Sequence, residues 1–486
     1  MLEGNLKKNA LLNMIKTVSS ILFPLITFPY VSRVLMPENI GKVNFASSFI
    51  SYFSLIASLG ITTYAIRECS AKKKNKEELS KIASQIFSIN MYTTLIAYIL
   101  LILVLFFFKR FNSYKALIII QSISILFTTL GCDWINTAME DFTFITLRTI
   151  IFQIISLILM FVFVKGPNDF MKYTFILVFS SSGANIVNIF YRKRYCDIRI
   201  LVNTEWRKHF KPIILLFVMI LAQTIFSNAD ITMLGLMKGD IEVGIYSTAL
   251  KIEIIIAQIV SSLAWVMMPR MSLYFEHSDY EKINMLLKNI FGVLTFIGIP
   301  CIAGIIGISN EVVLLIGGEE YLRSAMPLSI LMMSFGFSLL GGSFLGNMVL
   351  LPSKKEREYM IICCIMVIVN VVLNVLLIPK WGSIAAAGTT AFSSFLMMIL
   401  MVISRDKKIK LNYVGKTLIS PCLGSILIII YCKFITFYYV SLTAKLIFSI
   451  TGGVIIYILI SFLLKNEILI EFINKLIMKR GKYNAK

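Results

Sequence analysis

"ITFPYVSRVLMPENIGKVNF" (residues 26–45) opens inside one apolar run and closes at the start of another. Pro24, just before it, and Pro29, within it, stand where the hydrophobic pattern calls for helix interior, and Arg33 stands near the end of the run. Proline removes a backbone donor and kinks a helix, and a charge near hydrocarbon depth is costly. Outward from this stretch, the first run extends over 11–33 and the second over 43–62. Each is about 20 residues long, enough to cross a bilayer as helix.

The same pattern recurs along the chain, at 84–108, 115–134, 146–164, 173–191, 212–236, 244–268, 289–309, 325–351, 359–379, 383–403, 414–432 and 443–464. Of the 486 residues, 58% are hydrophobic and 15% charged, whereas a soluble domain is about half apolar and a quarter charged. The chain reads as an all-α polytopic membrane protein with about 14 transmembrane helices. The net charge of +21 then belongs to basic loops facing anionic lipid, and no nucleic-acid partner is expected. The first apolar run lacks a short core followed by a small-residue cleavage site, so it is expected to stay in place as the first span.

Loop charge sets the expected orientation. One set of alternate loops holds Arg67 with "KKKNK", Arg148, the stretch "YRKRYCDIRILVNTEWRKHFK" and the basic tail, and it carries well over half of the 47 lysines and arginines. Placing that set inside puts both termini in the cytoplasm, in the cytoplasmic (inner) membrane. His209 and His277 fall in predicted loops of this set and form no catalytic constellation. The eight cysteines show no CxxC spacing, so neither disulfide nor metal is expected, and no cofactor.

An ungapped register pairs "GKVNFASSFISYFSLIASLGITTYAIR" (41–67) with "GIYSTALKIEIIIAQIVSSLAWVMMPR" (244–270); Gly41, Ala46, Ile56, Ser58 and Arg67 recur as Gly244, Ala249, Ile259, Ser261 and Arg270. Chance between two apolar helices is the bland alternative. A shift of six spans keeps both copies in the same orientation, as in parallel-repeat transporters. The expected organisation is an N-terminal lobe of spans 1–6 (1–191), a basic linker (192–211), a C-terminal lobe of spans 7–12 (212–404), and spans 13 and 14 with a basic tail (405–486).

Polar residues recur at helical spacing within the spans: Asn9, Asn13, Lys16 and Ser20; Asn44, Ser48 and Ser51; Gln223, Ser227 and Asp230; Ser247, Lys251, Gln258 and Ser262. Each set shares one helix face. Hydrogen-bonded helix packing accounts for many of the serines, but charges are expensive in that role. The expectation is a hydrated cavity with Lys16, Arg33, Asn44, Ser48, Gln223 and Lys251 as substrate-binding residues, while Asp230 and Glu253 are candidates for ion coupling. Such a cavity suits an anionic cargo, and a helix bordering it tolerates prolines because water and neighbouring helices satisfy the freed carbonyls.

The chain resembles the Wzx-type polysaccharide flippases of the multidrug/oligosaccharidyl-lipid/polysaccharide exporter superfamily. The resemblance lies in "FPLITFPYVSRVLMPENIGKVNFASSFISYFSLIASLGI", in "DWINTAMEDFTFITLR" (133–148) with Asp133, Trp134, Glu140 and Arg148, in "NADITMLGLM" followed by "VGIYSTALKI", in "MMPRMS" and in "WGSIAAAGTTAF". One departure is "LMPENIG", where the family often has Gly before the proline. The resemblance implies two six-helix lobes in a V-shaped bundle plus two C-terminal helices. It also implies alternating access that moves an undecaprenyl-diphosphate-linked oligosaccharide between leaflets for O-antigen, capsule or other surface polysaccharide. The partners would be that cargo, the lipid bilayer and other polysaccharide assembly proteins. A cation-coupled multidrug exporter of the same superfamily is the alternative. A glycosyltransferase would want acidic residues on an early outer loop, where only Glu38 stands, and a polymerase would want a large outer loop; the chain is therefore not expected to be an enzyme.

Overall fold

The computed structural model describes residues 2–201, 204–265, 267–439 and 441–474. The basic tail beyond 474 lies outside the described residues. Among those described there is no strand. Thirteen helical segments are long and apolar enough to cross a membrane, and the first, Leu11–Ala71, is long enough to hold two spans.

The first part of the chain forms α1 (Leu2–Ser58), α2 (Ile61–Ala71), α3 (Lys76–Phe107), α4 (Lys115–Gly131), α5 (Asp133–Ala138), α6 (Phe142–Phe163), α7 (Phe170–Tyr191) and α8 (Trp206–Met237). After these come α9 (Asp240–Trp265), α10 (Met268–Glu276), α11 (Tyr280–Gly307), α12 (Ser309–Ile316), α13 (Ala325–Ser338), α14 (Glu356–Trp381), α15 (Ser383–Ser404), α16 (Val414–Tyr438) and α17 (Leu442–Leu463). By packing, the chain divides into two compact units, Met1–Gly244 and Ile245–Lys486. In the first, α1 packs along α3, α4, α6 and α8, and α4 and α6 both pack on α7. In the second, α13 packs on α15, α14 on α15, and α16 on α11 and α17. The helix predicted as the seventh span, α8, therefore lies with the first unit because it packs along α1.

Helix α1 is broken at Met36, whose backbone has φ 66° and ψ 164°. That region is open essentially only to glycine. Pro37 pushes the residue before it to extended ψ, and the positive φ turns the chain, so the two spans read on either side of "LMPENIG" are separate helices in series. Met36 thus occupies a position where the resembled family often has Gly.

Beyond the break, α1 meets the start of α9 at two glycines. A Cβ on Gly41 would overlap the carbonyl oxygen of Asp240, and a Cβ on Gly244 would overlap that of Pro37. In the repeat register Gly41 pairs with Gly244 and Pro37 with Asp240, so one contact is made twice, reciprocally. Small residues allow such close backbone approach. Tyr114, just before α4, secures the same turn by donating to Asp240 Oδ1 at 2.5 Å. Further along, Ser48 donates to the carbonyl of Asn228 at 2.9 Å and lies 2.7 Å from Thr232 Oγ1, joining α1 to α8.

Two sequence readings are corrected here. His209 is not in a loop. It sits in the first turns of α8, 2% exposed, between the Tyr64 hydroxyl (2.7 Å to Nδ1) and Gln85 Oε1 (3.2 Å to Nε2), so its ring ties α8 to α2 and α3. Arg148, counted with the loop cations, lies inside α6 and is 5% exposed. The α5–α6 turn beside it is held by Asp141, which accepts from the backbone N–H of Phe144 and from the hydroxyls of Tyr191 and Tyr195. Burial opposes ionisation of Asp141, but these hydrogen bonds outweigh it and hold the carboxyl below its usual range.

Two expectations follow from the breaks and crossings. Met36→Gly should relieve about 1–3 kcal/mol of backbone strain, against about 0.5–1 kcal/mol of extra glycine entropy; the detergent-solubilised protein should melt higher, and an unchanged or lower midpoint would contradict the strain. Gly41→Ala should cost about 1–3 kcal/mol by overpacking, whereas Gly304→Ala, where an added Cβ meets nothing within 4 Å, should be neutral or stabilising in the same melting assay.

Candidate functional site: a polar cavity within the first unit

The breaks in the helices leave carbonyls to be satisfied, and the groups that satisfy them converge on one place. At the α1–α2 junction Leu59 and Gly60 take positive φ, and the carbonyl of Ala57 accepts from Asn90 Nδ2 (2.7 Å) and Thr93 Oγ1 (2.5 Å) of α3. At the α4–α5 junction Cys132 is left-handed (φ 51°). There Asn188 of α7 donates to the carbonyl of Gly131 and Arg192 to that of Leu130, each at 2.7 Å. Between these junctions lies a cavity of about 630 Å³. Its walls come from α1, α3, α4, α5, α6 and α7, with Thr62 added by α2.

Three charges line it. Arg148 of α6 pairs with Asp133, the first residue of α5, and donates from Nη1 to the carbonyl of Ala184 at 3.0 Å. The guanidinium also sits 5.3 Å from the centre of the Phe144 ring. Asp133 is 41% exposed in its side chain, so its carboxylate opens on the cavity. Lys16 of α1 is half-buried and makes no ion pair among the described residues. With one carboxylate set against one guanidinium, Lys16 leaves the cavity net positive. Two buried donors add to this. Trp134 Nε1 and Arg148 Nε find no acceptor among the described residues, and both residues line the cavity. Buried donors are rarely left without a partner, so these favour a bound acceptor oxygen.

The residues expected to bind substrate do not all meet here. Lys16 does, with Ser20 and Pro24 beside it; the first proline of the opening segment therefore lies on a polar wall. Ser48 is sealed between α1 and α8, and it serves packing there rather than the cavity wall. Arg33 is exposed on α1 before the Met36 break, Asn44 is half-buried beyond it, and Gln223 is exposed on α8; none of the three lines the cavity. Asp230 is buried in α8 at 3% exposure. Lys251 and Glu253 are half-buried in α9, in the second unit. Sequence reading missed Asp133, Trp134 and Arg148 as site residues because each stands at a span boundary, where charge and indole are ordinary interface anchors.

The sequence matches the family described as "Polysaccharide biosynthesis protein" over residues 6–275, more than half of the chain. The chain belongs to that family. The MatE family matches residues 216–376. Among similar proteins, the putative O-antigen transporter of Shigella dysenteriae is 24% identical, over 82% of this chain and 99% of the relative. The capsular polysaccharide biosynthesis protein CapF of Staphylococcus aureus is 24% identical, over 76% and 91%. The lipid II flippase MurJ in an inward closed conformation superposes with a TM-score of 0.76 at 18% identity, covering 94% of this chain and 100% of that one; at that identity the likeness is one of fold. The chain is a multi-pass membrane protein of a family whose similar members are described as transporters and polysaccharide biosynthesis proteins.

The ion pair can be tested apart from any cargo. Asp133→Asn and Arg148→Met should each destabilise by roughly 1–3 kcal/mol, less than for a fully buried pair because Asp133 opens on the cavity. The double variant should lie closer to the parent than the two singles summed. Simple additivity in melting experiments would show that the two charges act separately.

Proposed function

We propose that the protein is a flippase that carries an undecaprenyl-diphosphate-linked oligosaccharide across the cytoplasmic membrane for surface polysaccharide assembly. The observation that carries this reading is the net-positive polar cavity inside a membrane bundle, with Lys16 unpaired and the Trp134 and Arg148 donors unspent. A diphosphate brings the negative charge that Lys16 lacks, and sugar hydroxyls suit the Ser, Thr and Asn side chains around it. An ammonium in a water-poor site attracts an anion more strongly than it does in water. The relatives described as O-antigen transporter and capsule biosynthesis protein support the choice of cargo.

In this reading two lobes alternate between two openings, both termini are cytoplasmic, and other polysaccharide assembly proteins supply and consume the cargo. Arg33 and Lys251 are further contacts for its charge, Asn44 and Gln223 for its sugars, while Asp230 or Glu253 takes up a coupling cation. The drug-exporter alternative is disfavoured by the cavity's charge: its acid, Asp133, is neutralised by Arg148, and Lys16 repels an organic cation.

Expression in a strain lacking its own flippase should restore surface polysaccharide. Lys16→Ala should lower output by about tenfold, the loss of roughly one charge-assisted hydrogen bond, at unchanged membrane level. Lys251→Ala should act in the same direction, and Asp230→Asn should alter dependence on the ion gradient. Full output from all three variants would remove these residues from cargo handling, and no restoration by the parent chain would remove the function.

A further inference from the structure

Helices α1 and α6 are tied towards their two ends, where Thr146 donates to the carbonyl of Leu12 (3.1 Å) and Tyr30 to that of Val164 (2.7 Å). Between the ties they part into a groove of about 410 Å³. One wall is a stripe on α1, Leu11, Ile15, Val18, Leu22 and Ile26, at the spacing of one helix face, and the other is Ile150, Ile154 and Leu157 of α6. Leu22 is 47% exposed and Ile154 52%. In a bilayer an apolar face alone means nothing, since lipid covers it. The distinctive feature is its floor. Ser19 donates across to Gln153 Oε1 at 2.5 Å, and Phe23 and Gln153 line both this groove and the polar cavity that holds Lys16. A hydrocarbon slot and a cationic cavity thus share one wall, made by Phe23 and by Gln153 with its hydrogen bond from Ser19.

The geometry points to a lateral portal between α1 and α6: the isoprenoid tail of the cargo lies in the groove while its diphosphate passes the Ser19–Gln153 pair into the cavity. An amphiphile with an anionic head matches both compartments, whereas a soluble anion has no use for the groove. A phospholipid would need only the groove, because its bulky headgroup belongs at the interface. Cargo identity rests on the flippase reading above; the groove itself does not.

The test uses the full chain in phosphatidylcholine nanodiscs with a diazirine-tagged polyprenyl diphosphate. Photolabel should fall on the α1 and α6 peptides that carry Met14, Val18 and Ile154. Leu22→Trp and Ile154→Trp, which fill the groove from the lipid side, should each cut that labelling about tenfold, the factor expected from displacing about two methylene groups. Ser19→Cys with Gln153→Cys, once crosslinked, should block delivery of the head, and a reductant should restore it. The portal is overturned if the label lands elsewhere and both tryptophan variants export like the parent. It is equally overturned if a diazirine phosphatidylcholine labels the groove and polyprenyl diphosphate fails to displace it. If the probe labels the groove but the chain restores no surface polysaccharide, the portal stands and the flippase reading falls. Normal export from an unlabelled, tryptophan-filled groove gives the converse.

Discussion

Hydrocarbon offers the backbone no hydrogen bonds, so within the membrane every N–H and C=O has to find its partner in the protein. That constraint makes the chain helical, and it also decides what happens where a helix stops. The α1–α2 and α4–α5 junctions each release carbonyls, and each is mended by a polar side chain from a neighbouring helix: Asn90 and Thr93 at Ala57, Asn188 at Gly131, Arg192 at Leu130. The menders have to point inward, away from lipid. Polar groups that repair the backbone therefore collect on one side of the first unit, and the cavity forms among them.

Charge follows the same logic at higher cost. Arg148 is tolerated inside α6 because Asp133, the Ala184 carbonyl and the Phe144 ring share its charge. Breaking such a pair leaves an uncompensated buried ion, which is worse than never having had it. Lys16 has no such partner among the described residues and lines the cavity instead, so its charge is available to something that enters. A site with one spare cation, buried donors and an adjoining apolar slot has the outline of an amphiphilic anion.

Much of this was legible from sequence. The spans were, because about 20 apolar residues have one interpretation in a chain this apolar. Lys16 was also singled out by the sequence, because a lysine on a polar stripe inside an apolar span has no cheap structural role, and the structure sets it on the wall of the polar cavity. Arg148 was not, because a cation at the edge of an apolar run looks like a loop residue until the neighbouring helix shows that it is enclosed. His209 misled for the same reason, lying in a basic stretch whose helical start is set by contact with Tyr64 and Gln85. Ser48 carried the spacing of a cavity wall but was used in packing against α8, a distinction that spacing cannot make.

The amino-acid order by itself determined the class of protein and the approximate number of spans, since both depend on local hydrophobicity and on periodic pattern. Tertiary structure decided which polar residues meet. The break at Met36 was foreshadowed by Pro37, yet its positive φ, in a position suited to glycine, emerges only from the way α1 has to cross the start of α9. That crossing matches Gly41 to Asp240 and Gly244 to Pro37, about two hundred positions apart. Convergence of Lys16, Asp133, Trp134 and Arg148 on one cavity likewise depends on contacts between three helices, α1, α5 and α6, and long-range contact is the information a linear pattern does not contain.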